Sequence, residues 1–515
     1  MLRRLRAELI VIGVILCGLW GSVTAMSKGL PKLWCQIIDR ATGGLFTSSV
    51  MAMENGFYYQ VDNNAMPTTA FLVVFFIAFL LVAYLTLRIE RSQADPWLFG
   101  TVLAFAIVFR LILLPGEPIH ENDFYRYLWD GKATVHGINP YKYAPSDLFM
   151  HEYHYTEDYY DDIGGVVLSA RTRERADMTR LDRLLELRDA NRLFYDRIGH
   201  WQVPTIYPPV AQAVFAMISW LRPDSFIFMK FIFMLFDLGV IALTVLLLRH
   251  GGRNPAMVII YAWSPLVLKE FPNAGHFDPV AIFFTLLAVY WLVTDRALKG
   301  FVALALATLS KFFSVVLLPL FAGAGRRRGI PAFFAVIAFA YVPFLLWNDA
   351  SFTEIFRGLS TYNAEWSYNS SVFAVIYRVM EEMNADWVRT LIPPKVVAAV
   401  LYGAGILWLS VRPCAGATER LHRCLLAVAG LFLINPVGDP WYFCWCIPFL
   451  CLFPYRSWIL LSGTLILSYL NFQSVYPFVD WIWWGIPALS YFIYVPFFLV
   501  LVWEVRRRPD YLQVR

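Results

Sequence analysis

The sequence predicts an all-α polytopic membrane protein, a bundle of about 12 to 14 transmembrane helices with a large outer loop that holds interfacial helices of its own. Bulk composition is the first reason. Of 515 residues, 59% are apolar and only 16% charged, whereas soluble chains run near half apolar and about a quarter charged. The second is the aromatic content, 42 Phe, 27 Tyr and 19 Trp, because rings with one polar edge settle at headgroup level and favour broad interfacial belts. The third is the placement of cations, which recur beside the apolar runs although the net charge is only +5. Together these exclude a soluble enzyme, a disordered scaffold and a nucleic-acid-binding domain, and make membrane lipids the expected surroundings.

The elements follow from apolar runs and basic flanks, since an apolar run of about 20 residues spans a core of about 30 Å and Lys/Arg-rich flanks stay inside. Residues 1–114 hold the first spans: Leu9 to Thr24 after Arg3, Arg4 and Arg6, Thr69 to Leu87 ending at Arg88 and Arg91, and Trp97 to Leu114. The N-terminus is therefore expected inside. Val23-Thr24-Ala25 offers a signal-peptidase-like site, whose use leaves the later topology unchanged. Residues 115–224 form the large extracytoplasmic loop; within it Ile206 to Leu221 cannot cross without inverting everything downstream, and reads as a helix lying in the outer interface.

Residues 225–347 return as central spans: Phe226 to Leu248 closed by Arg249 and Arg253, Met257 to Leu268, and Val280 to Val293 closed by Arg296 and Lys299. Ala303 to Phe321, interrupted by Lys311, begins and ends on the basic side, at Arg326, Arg327 and Arg328. Two short broken helices meeting near Lys311 are the expected solution, since irregular backbone at membrane depth is tolerated where protein buries it. Ala332 to Leu346 goes out, residues 348–395 make a second outer loop, and residues 396–515 hold the C-terminal spans, ending at Arg506, Arg507 and Arg508. Both termini are expected inside. Of seven cysteines only Cys35 falls in a segment expected to face outward, and no disulfide framework or zinc spacing is present.

Residues that carry chemistry gather at the outer ends of these spans. After the third span the chain reads Glu121-Asn122-Asp123-Phe124-Tyr125-Arg126-Tyr127-Leu128-Trp129-Asp130-Gly131. A helix starting near Asp123 puts Asp123, Arg126, Tyr127 and Asp130 on one face. Asp123 as a helix cap, with Arg126 as a structural partner of the acids, is the plainer alternative. Acids beside an apolar boundary are costly unless paired or used, so an outward-facing active site stays open beside it. Tyr207-Pro208-Pro209 through Gln212 opens the interfacial helix, and His276-Phe277-Asp278 sits at an outer turn, either as a turn bond or as a metal or base site. Lys311 interrupts an apolar segment, where a cation costs roughly 2.5 to 3.5 kcal/mol; it either caps carbonyls or anchors an anion. Arg110 near the end of the third span reads as a snorkelling residue or a second phosphate contact. Gly438-Asp439-Pro440-Trp441-Tyr442 adds aromatic groups to the same face, while His151-Glu152-Tyr153-His154 reads as a solvated loop.

In this order the segments resemble the bacterial membrane glycosyltransferases of the GT-C fold that use polyprenyl-phosphate sugars, especially the mannosyltransferases of the GT87-like group. The resemblance is carried by Asp123-x-Tyr125-Arg126-Tyr127-Leu128-Trp129-Asp130-Gly131, Gly137-Ile138-Asn139-Pro140-Tyr141-x-Tyr143-Ala144-Pro145, Thr205-x-Tyr207-Pro208-Pro209-x-Ala211-Gln212, Gly275-His276-x-Asp278, Lys311 and Pro440-Trp441-Tyr442. It is similar, too, to the mannosyltransferase that extends glycosylphosphatidylinositol anchors, whose first luminal loop holds an Asp-x-Asp. Here that position reads Glu121-Asn122-Asp123, which leaves open whether a divalent cation, Mg or Mn, uses the pair.

The resemblance implies a GT-C-like bundle in a bacterial inner membrane with its site facing the periplasm. It implies transfer of a hexose, mannose above all, from a polyprenyl-phosphate sugar donor to a hydroxyl of a glycan or lipid acceptor, with inversion. An acid of the first outer loop is the implied base: Asp123, Glu121 or Asp130. Arg126, Tyr127, Lys311, His276, Asp278, Tyr207, Gln212, Trp441, Tyr442 and Arg110 are the candidates for substrate binding. Residue chemistry suits this, because a lipid phosphate leaves without a proton and needs only a base on the acceptor and positive charge at the departing oxygen. A secondary transporter or lipid flippase is the rival from another class, since intramembrane lysine and broken helices also mark translocation pathways; an inactive assembly partner is another.

Overall fold

The computed structural model describes residues 2–28, 68–153, 159–161, 166–168, 175–323, 327–347, 350–383, 393–414, 416–472 and 481–507. The readings of Cys35, His154, Arg326 and Arg508 fall outside them. The architecture is all-α. Among the described residues the strands are two short antiparallel hairpins, Tyr159–Asp161 with Val166–Leu168 and Ile482–Trp483 with Ile486–Pro487.

Seven helices among the described residues are long and apolar enough to cross a membrane: Leu2–Ser27, Ala70–Glu90, Pro96–Leu113, Phe226–His250, Arg327–Leu346, Pro394–Val411 and Ala488–Arg507. An eighth broken span is formed by Pro265–Asn273 and Asp278–Val293, bent by 120°. Among the described residues this is fewer long helices than the about 12 to 14 expected from apolar runs, and the reason is local. The run from Met257 is divided into Pro255–Val258, Ile259–Ala262 and Pro265–Leu268, and that from Tyr442 into Pro440–Phe443 and Ile447–Leu450. Prolines 255, 265, 272, 440 and 448 start or interrupt these pieces, each removing a backbone donor. Ile259 to Leu268 are buried throughout, so their apolarity reports burial by protein, and a straight crossing is not required.

The break at Lys311 is present. The helix Ala297–Ser310 stops, Lys311 is extended at φ −156° and ψ 132°, and the chain resumes as the 3-10 turns Phe312–Leu317 and the helix Leu318–Gly323. Caps and ion pairs tie the N-terminal helices together: Asp95 accepts from the Trp97 amide at the start of its helix and pairs with Arg6 of the first helix at 2.9 Å.

Two close approaches position the site. The helix Asp123–Val135 packs on Pro209–Leu221 at Gly131, where a Cβ would stand 2.3 Å from the Phe215 carbonyl oxygen; only glycine allows the two backbones so near. Gly275, at φ +78° between the halves of the bent span, sits in the left-handed region that favours glycine. Its turn brings His276 and Asp278 back towards the chain before them.

Arg110 does not reach a substrate site. It is fully buried, its Nε donates to Asp237 at 2.5 Å, and its Nη1 donates to the carbonyls of Ala106 and Ala262. Asp237 also accepts from Tyr261 at 2.6 Å. The guanidinium thus clamps the third span to Phe226–His250 and to the broken segment after it. A snorkelling reading fails because a buried carboxylate lies within reach and lets the cation stay inside.

Candidate active site

The polar centre is built outward from the start of one helix. Asp123 opens Asp123–Val135 directly after Asn122, whose side chain makes no capping bond. Tyr127 follows one turn later, and its hydroxyl donates to Asp123 Oδ2 over a long 3.3 Å. The Asp123 side chain is 29% exposed. Among the described residues it accepts no other hydrogen bond and has no Lys or Arg in contact. Burial raises its carboxyl above the usual carboxylate range, and the nearby His200 and Lys311 charges pull it partly back.

The turn after the bent span supplies the opposite wall. His276 is 1% exposed and lies flat against Trp441, with ring centroids 4.3 Å apart. Its Nδ1 is 3.9 Å from Asp123 Oδ2 and its Nε2 is 3.4 Å from Glu270 Oε2, but neither nitrogen makes a hydrogen bond among the described residues. Two residues on, Asp278 Oδ1 accepts from Lys311 Nζ at 2.7 Å and from the Trp445 indole at 2.6 Å. Lys311 stands among the rings of Phe277, Tyr442 and Trp445, at 5.0, 4.6 and 5.4 Å. An ammonium has three donors. One is used on Asp278, and the side chain keeps 15% exposure.

Aromatic groups complete the enclosure. Tyr127 and Tyr207 pack edge to face at 5.2 Å, and Tyr207 meets Phe277 at 5.1 Å. The Tyr442 hydroxyl shares a 2.9 Å hydrogen bond with Tyr362. Of the residues the sequence singles out, the fold therefore gathers Asp123, Tyr127, Tyr207, His276, Asp278, Lys311, Trp441 and Tyr442. Glu121 is near enough to feel Lys269, Asp123, Glu270 and Asp439; burial, the main cause, pushes its carboxyl well up.

Three other candidates turn out to be occupied elsewhere. Asp130 is 1% exposed, pairs with Arg126 at 2.8 Å and accepts from Gln212 at 3.2 Å. Arg126 also donates to the Val203 carbonyl, and Gln212 to the Thr205 hydroxyl. Asp130, Arg126 and Gln212 thus fasten the first outer helix to the segment 203–212, and Asp130 has no free access as a base. The spacing of four that suggested a shared catalytic face is the spacing of a helical ion pair. In the neighbouring loop His151 pairs with Asp182 at 2.8 Å.

Sequence reasoning passed over the pair Lys269–Glu270, fully buried, in which the lysine donates to Glu270 at 3.1 Å and to the Tyr469 hydroxyl. Tyr469 in turn donates to Glu270 at 2.9 Å. Two adjacent charges closing the apolar run from Met257 were the available signal. Asp439 stands in the Gly438–Tyr442 segment that the sequence singles out for its aromatic groups, and received no role of its own there. No three His, Cys, Asp or Glu among the described residues come together as a possible metal ligand set.

The model of glycosyltransferase family 87 matches residues 205–436. Over that stretch, which includes Tyr207, Gln212, His276, Asp278 and Lys311, the chain is similar to that family, and the match indicates a glycosyltransferase. No curated protein and no solved structure matches the chain.

Proposed function

We propose, with the likeness to glycosyltransferase family 87 as premise, that the protein transfers a hexose, mannose first, from a polyprenyl-phosphate donor to an acceptor hydroxyl of a glycan or lipid, at the membrane face opposite the basic loops. The observation that carries this reading is the arrangement of Asp123 and Lys311. One carboxylate, partly open and held by a single long hydrogen bond, stands in the same cluster of rings as one lysine whose ammonium has donors to spare.

In the reaction the acceptor hydroxyl gives its proton to Asp123 as its oxygen attacks the anomeric carbon. The bond from that carbon to the phosphate oxygen breaks on the opposite face, its electron pair leaves with the phosphate, and the anomeric configuration inverts. Lys311 offers charge to the departing phosphate, where a fixed cation in a water-poor site is worth most. Asp278 holds the ammonium in place without consuming it. A carboxyl raised by burial is a stronger base once ionised, and it matches its task better at neutral pH. The rings of Tyr127, Tyr207, Trp441 and Tyr442 supply apolar walls, and a donor that enters from the bilayer needs no nucleotide-binding loop.

The test is transfer from radiolabelled polyprenyl-phosphate mannose to a panel of glycan and lipid acceptors by the purified protein in lipid nanodiscs. Wild type, Asp123→Asn and Lys311→Ala are compared. Transfer is expected from the wild type and not from Asp123→Asn. Transfer from a nucleotide sugar, with every lipid donor inert, overturns the donor assignment.

A further inference from the structure

The reaction above gives the acceptor's proton to Asp123, and beside that carboxyl one buried ring has two unused nitrogens. His276 is 1% exposed, and Trp441 holds its plane, with ring centroids 4.3 Å and planes 16° apart. Neither nitrogen makes a hydrogen bond among the described residues. Leaving such atoms buried and unmatched is costly. Each nitrogen faces a carboxylate: Nε2 lies 3.4 Å from Glu270 Oε2, and Nδ1 lies 3.9 Å from Asp123 Oδ2.

The two acids differ in what else holds them. Glu270 is fully buried, and the Lys269 ammonium donates to its Oε2 at 3.1 Å while the Tyr469 hydroxyl donates to its Oε1 at 2.9 Å. With both oxygens accepting, this carboxylate has only acceptor capacity to offer. Asp123 is 29% exposed and accepts one long bond, from Tyr127 at 3.3 Å. A neutral imidazole carries its proton on one nitrogen, and the partner of the ring decides which. Glu270 is the nearer acid and the firmly held one, so it sets the proton on Nε2. Nδ1 is then a bare lone pair facing Asp123. Two acceptors with no proton between them stand apart, as these do at 3.9 Å.

We propose that His276, set in this tautomer by Glu270, is a positioning residue that holds the proton Asp123 takes from the acceptor. As the acceptor O–H bond breaks, the Asp123 Oδ2–H bond forms and donates to Nδ1, which closes the gap. When product leaves, the proton passes to water along the exposed edge of Asp123 and the lone pairs face each other again. The ring gains no charge. A hydrogen bond that forms only as the proton arrives is stronger in the transition state than before it, and such interactions raise kcat. The catalytic meaning rests on Asp123 as the base of the function proposed above.

The test uses the full-length protein in nanodiscs and has one arm that needs no turnover. In 15N NMR of histidine-labelled protein the His276 signals, assigned by their loss in His276→Phe, are expected to show a protonated Nε2 and a bare Nδ1. Lys269→Met with Glu270→Leu removes the buried pair without stranding a charge, and there the preference is expected to be lost. Asp123→Asn presents an amide donor, and there the Nδ1 signal is expected to shift to lower frequency. That variant keeps the shape of the site and decides the matter if the double variant does not fold. In turnover, His276→Phe keeps a ring against Trp441 and is expected to lose kcat by about ten-fold, the worth of one hydrogen bond made in the transition state, at unchanged KM for the lipid donor. Imidazole is expected to restore the rate of His276→Ala, and thiophene, a ring of similar size without a basic nitrogen, is not. A protonated Nδ1 in the wild type, or undiminished kcat in His276→Phe, overturns the proposal. So does a raised donor KM at unchanged kcat, which makes His276 a phosphate contact instead. If every lipid donor is inert, the function above fails and the NMR arm decides alone: a bare Nδ1 that responds to Asp123→Asn leaves the acid–imidazole pair standing as a proton-holding site for another hydroxyl.

Discussion

Replacing Asp123 by Asn is the sharpest perturbation of the proposed chemistry, because it keeps the shape and the Tyr127 contact at 3.3 Å while removing the basic oxygen. A positioned general base contributes roughly a hundred- to ten-thousand-fold, which is about 3 to 5 kcal/mol at 1.36 kcal/mol per decade. Because burial raises the Asp123 carboxyl, the ionised base is lost as pH falls through that raised value, and the wild-type rate should show an acid limb above the ordinary carboxylate range. Lys311 lowers the same carboxyl, so Lys311→Met should move the limb to higher pH besides reducing the plateau. The assay is kcat/KM against pH for sugar transfer by wild type, Asp123→Asn and Lys311→Met, with thermal melting to confirm that each variant is folded. A folded Asp123→Asn that keeps more than about a tenth of the rate, far short of the loss of a base, would refute the assignment. So would an acid limb that does not move in Lys311→Met.

Other perturbations probe the frame that holds this chamber. Arg110→Met strands the fully buried Asp237 without its cation, and breaking such a pair from one side typically costs about 3 to 5 kcal/mol; a large fall in thermal stability in detergent is expected, with much of it recovered by adding Asp237→Leu. Gly131→Ala places a methyl 2.3 Å from the Phe215 carbonyl, so overpacking of about 1 to 3 kcal/mol and a lower kcat are expected as the helix bearing Asp123 shifts. Gly403→Ala, which meets nothing within 4 Å, should leave both measurements unchanged. Glu121 and Asp439 bind protons more tightly folded than unfolded, since both are raised well above ordinary values. Their contribution to stability is present in acid and lost as pH rises through the raised values; the melting temperature should therefore fall from mildly acidic to alkaline pH, and Glu121→Gln with Asp439→Asn should flatten that slope.

How much of this was readable in the chain depends on what a local pattern can distinguish. The helix beginning at Asp123 and the break at Lys311 were legible because each follows from constraints within a few residues: an acid after a span end, and a cation in a run too short for two crossings. The number of straight spans was not, because Ile259 to Leu268 are apolar through burial by neighbouring protein, and hydropathy reads that surrounding as it reads lipid. Roles among the charged residues were the least legible. Arg110, Arg126 and Lys311 look alike in sequence, each a cation at an apolar boundary, and only their partners separate them. Arg110 spends its donors on Asp237 and two carbonyls, and Arg126 on Asp130 and the Val203 carbonyl. Lys230 is held in the same way by the carbonyls of Leu113 and Gly116. Those three close on the protein and fasten it. Lys311 meets one carboxylate and three ring faces and keeps 15% side-chain exposure, against 0% for Arg110 and 7% for Arg126, so its spare donors stand where a substrate's phosphate can reach them. That difference lies largely in distant parts of the chain, which is why the sequence offers Arg110, Arg126 and Lys311 alike as phosphate anchors while the fold gives each different partners.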